Sequence, residues 1–186
     1  MSSPRGRAAV ALCLVAAVAG CGSSKSTSSD ANSAATGDIP DNQVFLTYRN
    51  PAAGYSISYP EGWARKGAAN RTTFQDKNNV IRIVTVRGAT PTVASVRKDL
   101  AKVKSSTPSL RVVSASTVTL RGRPVVKVTY TSESPPNPVT GKRVKLIVDR
   151  YVYSNGGRVA TVDLGTAVGV DNVDAYRMIS ESFQWK

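Results

Sequence analysis

Gly54-Tyr55-Ser56-Ile57-Ser58-Tyr59-Pro60-Glu61-Gly62-Trp63 is the stretch on which the fold turns. Tyr55, Ile57 and Tyr59 alternate strictly with serines. A period of two puts the three large side chains on one face of a β-strand and the hydroxyls on the other. Pro60 has no N–H to give to a ladder and a fixed φ, so the strand ends there. Gly62 permits a tight turn. Trp63 then folds back as a large apolar anchor whose indole N–H needs an acceptor. Two readings of Trp63 stay open, a core anchor and a ligand platform.

Reading outward from this strand, Val44 to Arg49 forms the strand before it, joined through Asn50-Pro51-Ala52-Ala53-Gly54. Downstream, Arg71 to Gln75 and Val80 to Val86 form a hairpin across Asp76-Lys77-Asn78-Asn79. A helix follows, capped by Thr92, with Val93, Val96, Leu100 and Val103 at helical spacing; Pro108 bars its return. Four longer strands come next. Leu110 to Leu120 pairs with Val125 to Glu133 across Arg121-Gly122-Arg123-Pro124. Arg143 to Tyr153 pairs with Arg158 to Leu164 across Ser154-Asn155-Gly156-Gly157, whose Asn-Gly pair is a strong hairpin signal. Between these pairs lies the loop Ser134 to Lys142, rich in proline. A last helix runs from Asp171 to Ser182, capped by Asp171 or Asn172, with Val173, Tyr176, Ile179 and Phe183 as its apolar stripe. Phe183 and Trp185 pack the tail onto the sheet. Residues 43–186 therefore form one domain of the α+β class, an antiparallel β-sheet flanked by helices, long enough for a single core.

The N-terminus reads differently. Arg5 and Arg7 precede an apolar run from Ala8 to Val18, and Val18-Ala19-Gly20-Cys21 closes it. A positive region, a short apolar region and small residues before a cleavage point are the parts of a secretory signal. The run is too short to span a bilayer, which takes about 20 apolar residues. With a cysteine after Ala19-Gly20 the segment resembles a bacterial lipoprotein signal with its lipobox; the alternative is an ordinary secretory signal with an incidental cysteine. The resemblance implies a signal peptide over residues 1–20 and a diacylglyceryl thioether on Cys21. It places the mature protein on the extracytoplasmic face of the cell membrane, held by two acyl chains. Residues 21–42 read as a disordered tether rich in serine and threonine. As a coil it would span about 25 Å r.m.s.. Cys13 is removed with the signal, so the folded domain has no thiol for a disulfide, a metal or catalysis.

The formal charge is +13 and falls by two when Arg5 and Arg7 leave with the signal. For an exported protein that charge points to anionic headgroups or a phosphorylated wall polymer rather than nucleic acid; a solvated set of strand faces is the other reading. The chain has no histidine, which removes the usual neutral-pH general base and Ser-His-Asp or Cys-His chemistry. Its acidic residues are few and scattered, so neither a metal site nor a cofactor is expected, and the reading is of a binding protein rather than an enzyme. Two basic places stand out as candidate binding residues. Arg121 and Arg123 share one hairpin turn. Lys142, Arg143 and Lys145 open the strand after the proline loop, Arg143 and Lys145 sharing a face by alternation. With strands ordered as in the sequence, the two places lie at opposite ends of one strand. The Ser134–Lys142 loop itself is long and exposed, as binding loops are.

The strand ending Tyr59-Pro60-Glu61-Gly62-Trp63 and the closing helix with Ser182-Phe183-Gln184-Trp185 resemble the opening and the end of PsbP-like domains, including actinobacterial lipoproteins of the LpqN type. The resemblance implies an antiparallel sheet sandwiched between helices. It also implies a binding or assembly module for an envelope protein partner, or a binder of anionic glycolipid or wall polymer. Metal-linked roles of photosynthetic members do not carry over, because the histidines and a clear acidic cluster are missing.

Overall fold

Tyr55–Pro60 forms a strand as its alternation requires, but not in the main sheet. A computed structural model describes residues 37–186. The signal peptide expected over 1–20, Cys21 and the tether as far as residue 36 lie outside the described residues. The elements are β1 (Phe45–Asn50), β2 (Tyr55–Pro60), β3 (Ala64–Ala68), β4 (Arg71–Asp76), β5 (Asn79–Arg87), α1 (Val93–Ser106), β6 (Arg111–Leu120), β7 (Arg123–Glu133), β8 (Lys145–Asn155), β9 (Arg158–Ala167), α2 (Val173–Ser182) and β10 (Gln184–Trp185). Among the described residues they make two antiparallel sheets, β1-β2-β10 and β3-β4-β5-β9-β8-β7-β6. The α+β class holds, with one correction: there are two sheets. Pro60 and Gly62, the latter at φ +87°, turn the chain out of the first sheet, and Trp63 carries it into the second. The short β10 then returns to pair Trp185 with Tyr55.

Each face of the large sheet has its own core. On one face Phe74, Ile81, Ile83, Val162 and Leu164 meet Tyr55 and Ile57 from β2 and Tyr176 and Ile179 from α2. Trp63 belongs to this cluster and is only 9% exposed, which settles it as an anchor. Rings interlock there: Tyr59 stacks on Phe74 at 4.2 Å and Tyr153 on Phe183 at 4.4 Å. The opposite face buries Val126, Val128, Tyr130, Val148 and Val152 beneath Val96 and Leu100 of α1. Burying side chains of this size stabilises by roughly 1.5–3 kcal/mol each, which is how a domain with no disulfide holds together.

Both helices start as local rules demand, in different ways. The Thr92 hydroxyl accepts from the Ser95 N–H and the Ser95 hydroxyl from the Thr92 N–H, a reciprocal cap. α2 begins after Asn172, whose side chain makes no capping bond; a carboxylate oxygen of Asp171 accepts from the Val173 N–H at 3.3 Å instead. The expected stripe on α2 is corrected as well. Val173 is 73% exposed, and the buried positions are Ala175, Tyr176, Ile179 and Ser180. β3 is an element that the sequence did not suggest, since Ala64-Arg65-Lys66-Gly67-Ala68 has no apolar alternation. Arg143 lies before β8 rather than in it, so its expected strand face with Lys145 does not form.

Candidate functional site

Alternation along β6 to β9 sends one set of side chains to the face that carries α2. The register aligns Val118 with Val125, Lys127 with Tyr151, Thr129 with Asp149 and Asp149 with Leu164 on that face. Beside α2 part of this face is left uncovered, at Val118, Leu120, Lys127, Ile147 and Asp149. A cleft of about 440 Å³ runs there between sheet and helix. Val118, Leu120, Ile147, Tyr151 and Leu164 supply an apolar floor, and Tyr176, Arg177, Ser180 and Glu181 of α2 make the wall.

One ion pair sits in this apolar floor. The Lys127 ammonium lies 2.9 Å from Asp149 Oδ2, and the Thr129 hydroxyl donates to Asp149 Oδ1 at 2.6 Å. Lys127 also lies 5.3 Å above the Tyr151 ring, a cation–π placement. Partial burial alone would lower the Lys127 pKa, but the hydrogen bond and charge of Asp149 outweigh it, and the net shift is upward. Lys127 therefore stays an ammonium at neutral pH, held by Asp149, and is not a base there. On the rim, Arg177 is paired with Asp174 at 2.9 Å.

Two tyrosines set the width of the cleft. Tyr153 on β8 donates its hydroxyl to the Ser180 carbonyl at 2.7 Å, and Tyr176 on α2 donates to the Gly165 carbonyl at 2.6 Å. Burial raises both phenols above their ordinary pKa, so they stay neutral donors. At the N-terminal end of α2, buried Asn172 receives the chain: its Oδ1 accepts from the Ile39 N–H at 2.7 Å. Asn79 donates to the Gly37 carbonyl at 2.6 Å, and Thr166 donates to Asn79 at 2.6 Å. The stretch expected to be tether up to residue 42 is thus already hydrogen-bonded to the domain at Gly37 and Ile39. Asn172 and Thr166 also line the cleft.

The basic residues named from sequence divide between two places. Arg121 and Arg123 line a second compartment of about 310 Å³ that shares Leu120, Ser180 and Glu181 with the cleft. Lys142, Arg143 and Lys145 sit at the other end of β7, with Arg143 donating to the Ser134 carbonyl at 2.9 Å; none of them lines the cleft. The structure does not bring the two groups together. Lys127 and Asp149 were not singled out from sequence. The available signal was a charge inside an apolar strand, in Val125-Val126-Lys127-Val128 and in Ile147-Val148-Asp149. Among the described residues no three His, Cys, Asp or Glu side chains gather as a metal site would require.

No protein-family model and no curated protein matches the sequence. Solved structures do match. Cyanobacterial PsbP (CyanoP) from Synechocystis sp. PCC 6803 superposes with a TM-score of 0.53 at 18% identity, over 81% of this chain and 98% of that one. The Ran-binding protein Mog1p of Saccharomyces cerevisiae gives 0.51 at 8% identity, over 77% of this chain and 96% of that one. LpqN of Mycobacterium tuberculosis, described as involved in cell envelope biogenesis, gives 0.41 at 14% identity, over 79% and 87%. That last fit is too loose to bear on fold or function. Two antiparallel sheets with helices on both faces, traced over nearly the whole of CyanoP, make the fold of residues 37–186 PsbP-like.

Proposed function

We propose that this protein is a lipid-anchored lipoprotein on the extracytoplasmic face of the cell membrane, whose folded domain binds or helps assemble an envelope protein partner through the cleft between α2 and the large sheet. One observation carries the binding role: an apolar cleft of about 440 Å³ stays open on a sheet face that is sealed elsewhere. Concave, mostly apolar sites with a few fixed polar groups are where proteins take ligands and partner side chains. The placement rests on the lipobox ending at Cys21. A binding role rather than catalysis is supported by the missing histidines and by a Lys127–Asp149 pair that already satisfies its own charges.

A second reading, an anionic glycolipid or wall polymer, is favoured by Arg121 and Arg123 in the adjoining compartment. A photo-crosslinking side chain at Val118 or Leu120, expressed in the native envelope, separates the two. Protein adducts specific to these positions support the partner reading, and lipid or saccharide adducts support the second. The same adducts from exposed Val139, or none from the cleft, would sink both. Placement has its own check, because Cys21→Ser releases the protein from the membrane fraction if the thioether is the anchor.

A further inference from the structure

The large sheet ends in two edges that are built very differently. β3 has five residues, and three of them, Arg65, Lys66 and Gly67, are of the kind that discourages pairing. Gly67 sits at φ +85° and approaches the Arg71 carbonyl so closely that a Cβ there would lie 2.3 Å from the oxygen. β6 is the opposite case. It has ten residues, and Val112-Val113-Ser114-Ala115-Ser116-Thr117-Val118-Thr119-Leu120 contains no charge and no proline. A bulge between Val112 and Ser114 blunts only its beginning; Ser114 to Leu120 runs in regular register. Among the described residues no strand lies beyond it. A long, uncharged edge rich in β-branched residues is a template for one more strand.

We propose that the outer edge of β6 is a binding surface for an extended segment of another polypeptide, which adds to the large sheet as an eighth strand and carries acidic residues at both ends. Main-chain hydrogen bonds supply affinity in strand addition, and side chains at the flanks supply selection. Here the flanks are cationic: Arg111, whose guanidinium also donates to the Pro108 and Leu110 carbonyls, opens β6, Arg121 follows its end in the turn, and Arg123 opens β7. A segment with carboxylates about ten residues apart meets a cation at each end. The same charges disfavour a second copy of this chain. With Ser116 or Thr117 on a two-fold axis, Arg111 of each copy falls against the Arg121–Arg123 turn of the other. The added strand would also widen the cleft floor, since Val118 and Leu120 line the cleft. This inference stands on the edge alone and does not depend on what the cleft takes.

The test uses the full-length chain in detergent and a fluorescent synthetic probe, Glu-Thr-Val-Thr-Val-Ser-Val-Thr-Val-Glu. Anisotropy is expected to show saturable binding, weakened at least tenfold when the two glutamates become lysines. Arg111→Glu with Arg121→Glu and Arg123→Glu should reverse that preference, and these exposed changes leave the core intact. A probe N-methylated at every residue keeps its side chains but cannot join a ladder, so it should not bind. Equal binding of the methylated probe, or a charge preference that survives the reversal, overturns the proposal. A doubled mass in sedimentation with no probe binding overturns it in favour of self-pairing. Crosslinking from Arg177 on the α2 wall, away from β6, would report on the cleft by itself.

Discussion

Two halves of one sheet face are made from the same alternating strands, yet one is sealed and the other open. Over β4, β5 and β9 the facing positions are Phe74, Ile81, Ile83, Val162 and Leu164, met by Tyr55, Ile57 and Ile179 from across the core. Over β6, β7 and β8 the facing positions mix Val118, Leu120, Ile147 and Tyr151 with Ser114, Ser116, Lys127, Thr129 and Asp149, so polar groups interrupt the apolar surface. The strands run on unchanged; only the chemistry of the inward positions changes. A covering layer is stabilised where it removes apolar area from water. It has little to gain over hydroxyls and an ion pair that would lose hydration. The cleft is the boundary between those two regimes.

The sharpest way to break this comparison is to cut one large side chain from each half. Phe74→Ala is expected to cost about 3–5 kcal/mol, as deletions in a packed core do. Val118→Ala on the cleft floor should cost about 1 kcal/mol or less. Urea unfolding of the two variants reads this directly, and equal losses would erase the distinction between sealed and open.

Next in size are the hydroxyls that pin α2. Tyr153→Phe and Tyr176→Phe each leave a buried carbonyl without its donor, at about 1–3 kcal/mol. They also carry a pH signature. Both phenols are raised above 10.0 in the folded state, so in the unfolded chain they ionise first. Their stabilisation is whole below pH 10 and is lost as pH rises through the folded values. Stability followed from pH 8 to 12 should therefore fall less steeply in the double phenylalanine variant than in the native protein.

A smaller effect is expected from the ion pair of the open half. Asp149→Asn should cost about 1 kcal/mol, because the pair is partly hydrated. Lys127 is raised above its ordinary 10.5 by Asp149. Its contribution is complete below that pH and fades above it. Comparing Lys127→Met with the native chain at pH 7 and pH 11.5 should show the gap closing. The smallest change belongs to Val173→Ser, which should stay within about 0.5 kcal/mol because the side chain is exposed.

Much of the fold was legible because its signals are local. Tyr55-Ser56-Ile57-Ser58-Tyr59 named its own strand and face, Thr92 named the start of α1, and Asn155-Gly156 named a hairpin. β3 was not legible, since Arg65 and Lys66 carry no alternation and the strand exists only because β4 pairs with it. The stripe of α2 was misread at Val173 for a related reason: spacing tells which residues share a helix face, while the turn before the helix decides how far that face is covered. The basic turn at Arg121 and Arg123 was visible as charge, and only the packing of α2 over the sheet gave it a compartment to line. Lys127 and Asp149 were visible as interruptions of apolar strands. That they meet depended on the register of β7 against β8.

The order of residues by itself determined where strands, helices and turns lie, and how much cation the chain carries. Backbone stereochemistry and side-chain period act over a few residues, so those features need no partner. Tertiary structure alone decided that β2 leaves the main sheet to pair with the last residues, that half of one face stays open, and which charges neutralise one another. Those outcomes depend on segments far apart in sequence competing to bury the same apolar area, and the competition is settled only once the whole domain has closed.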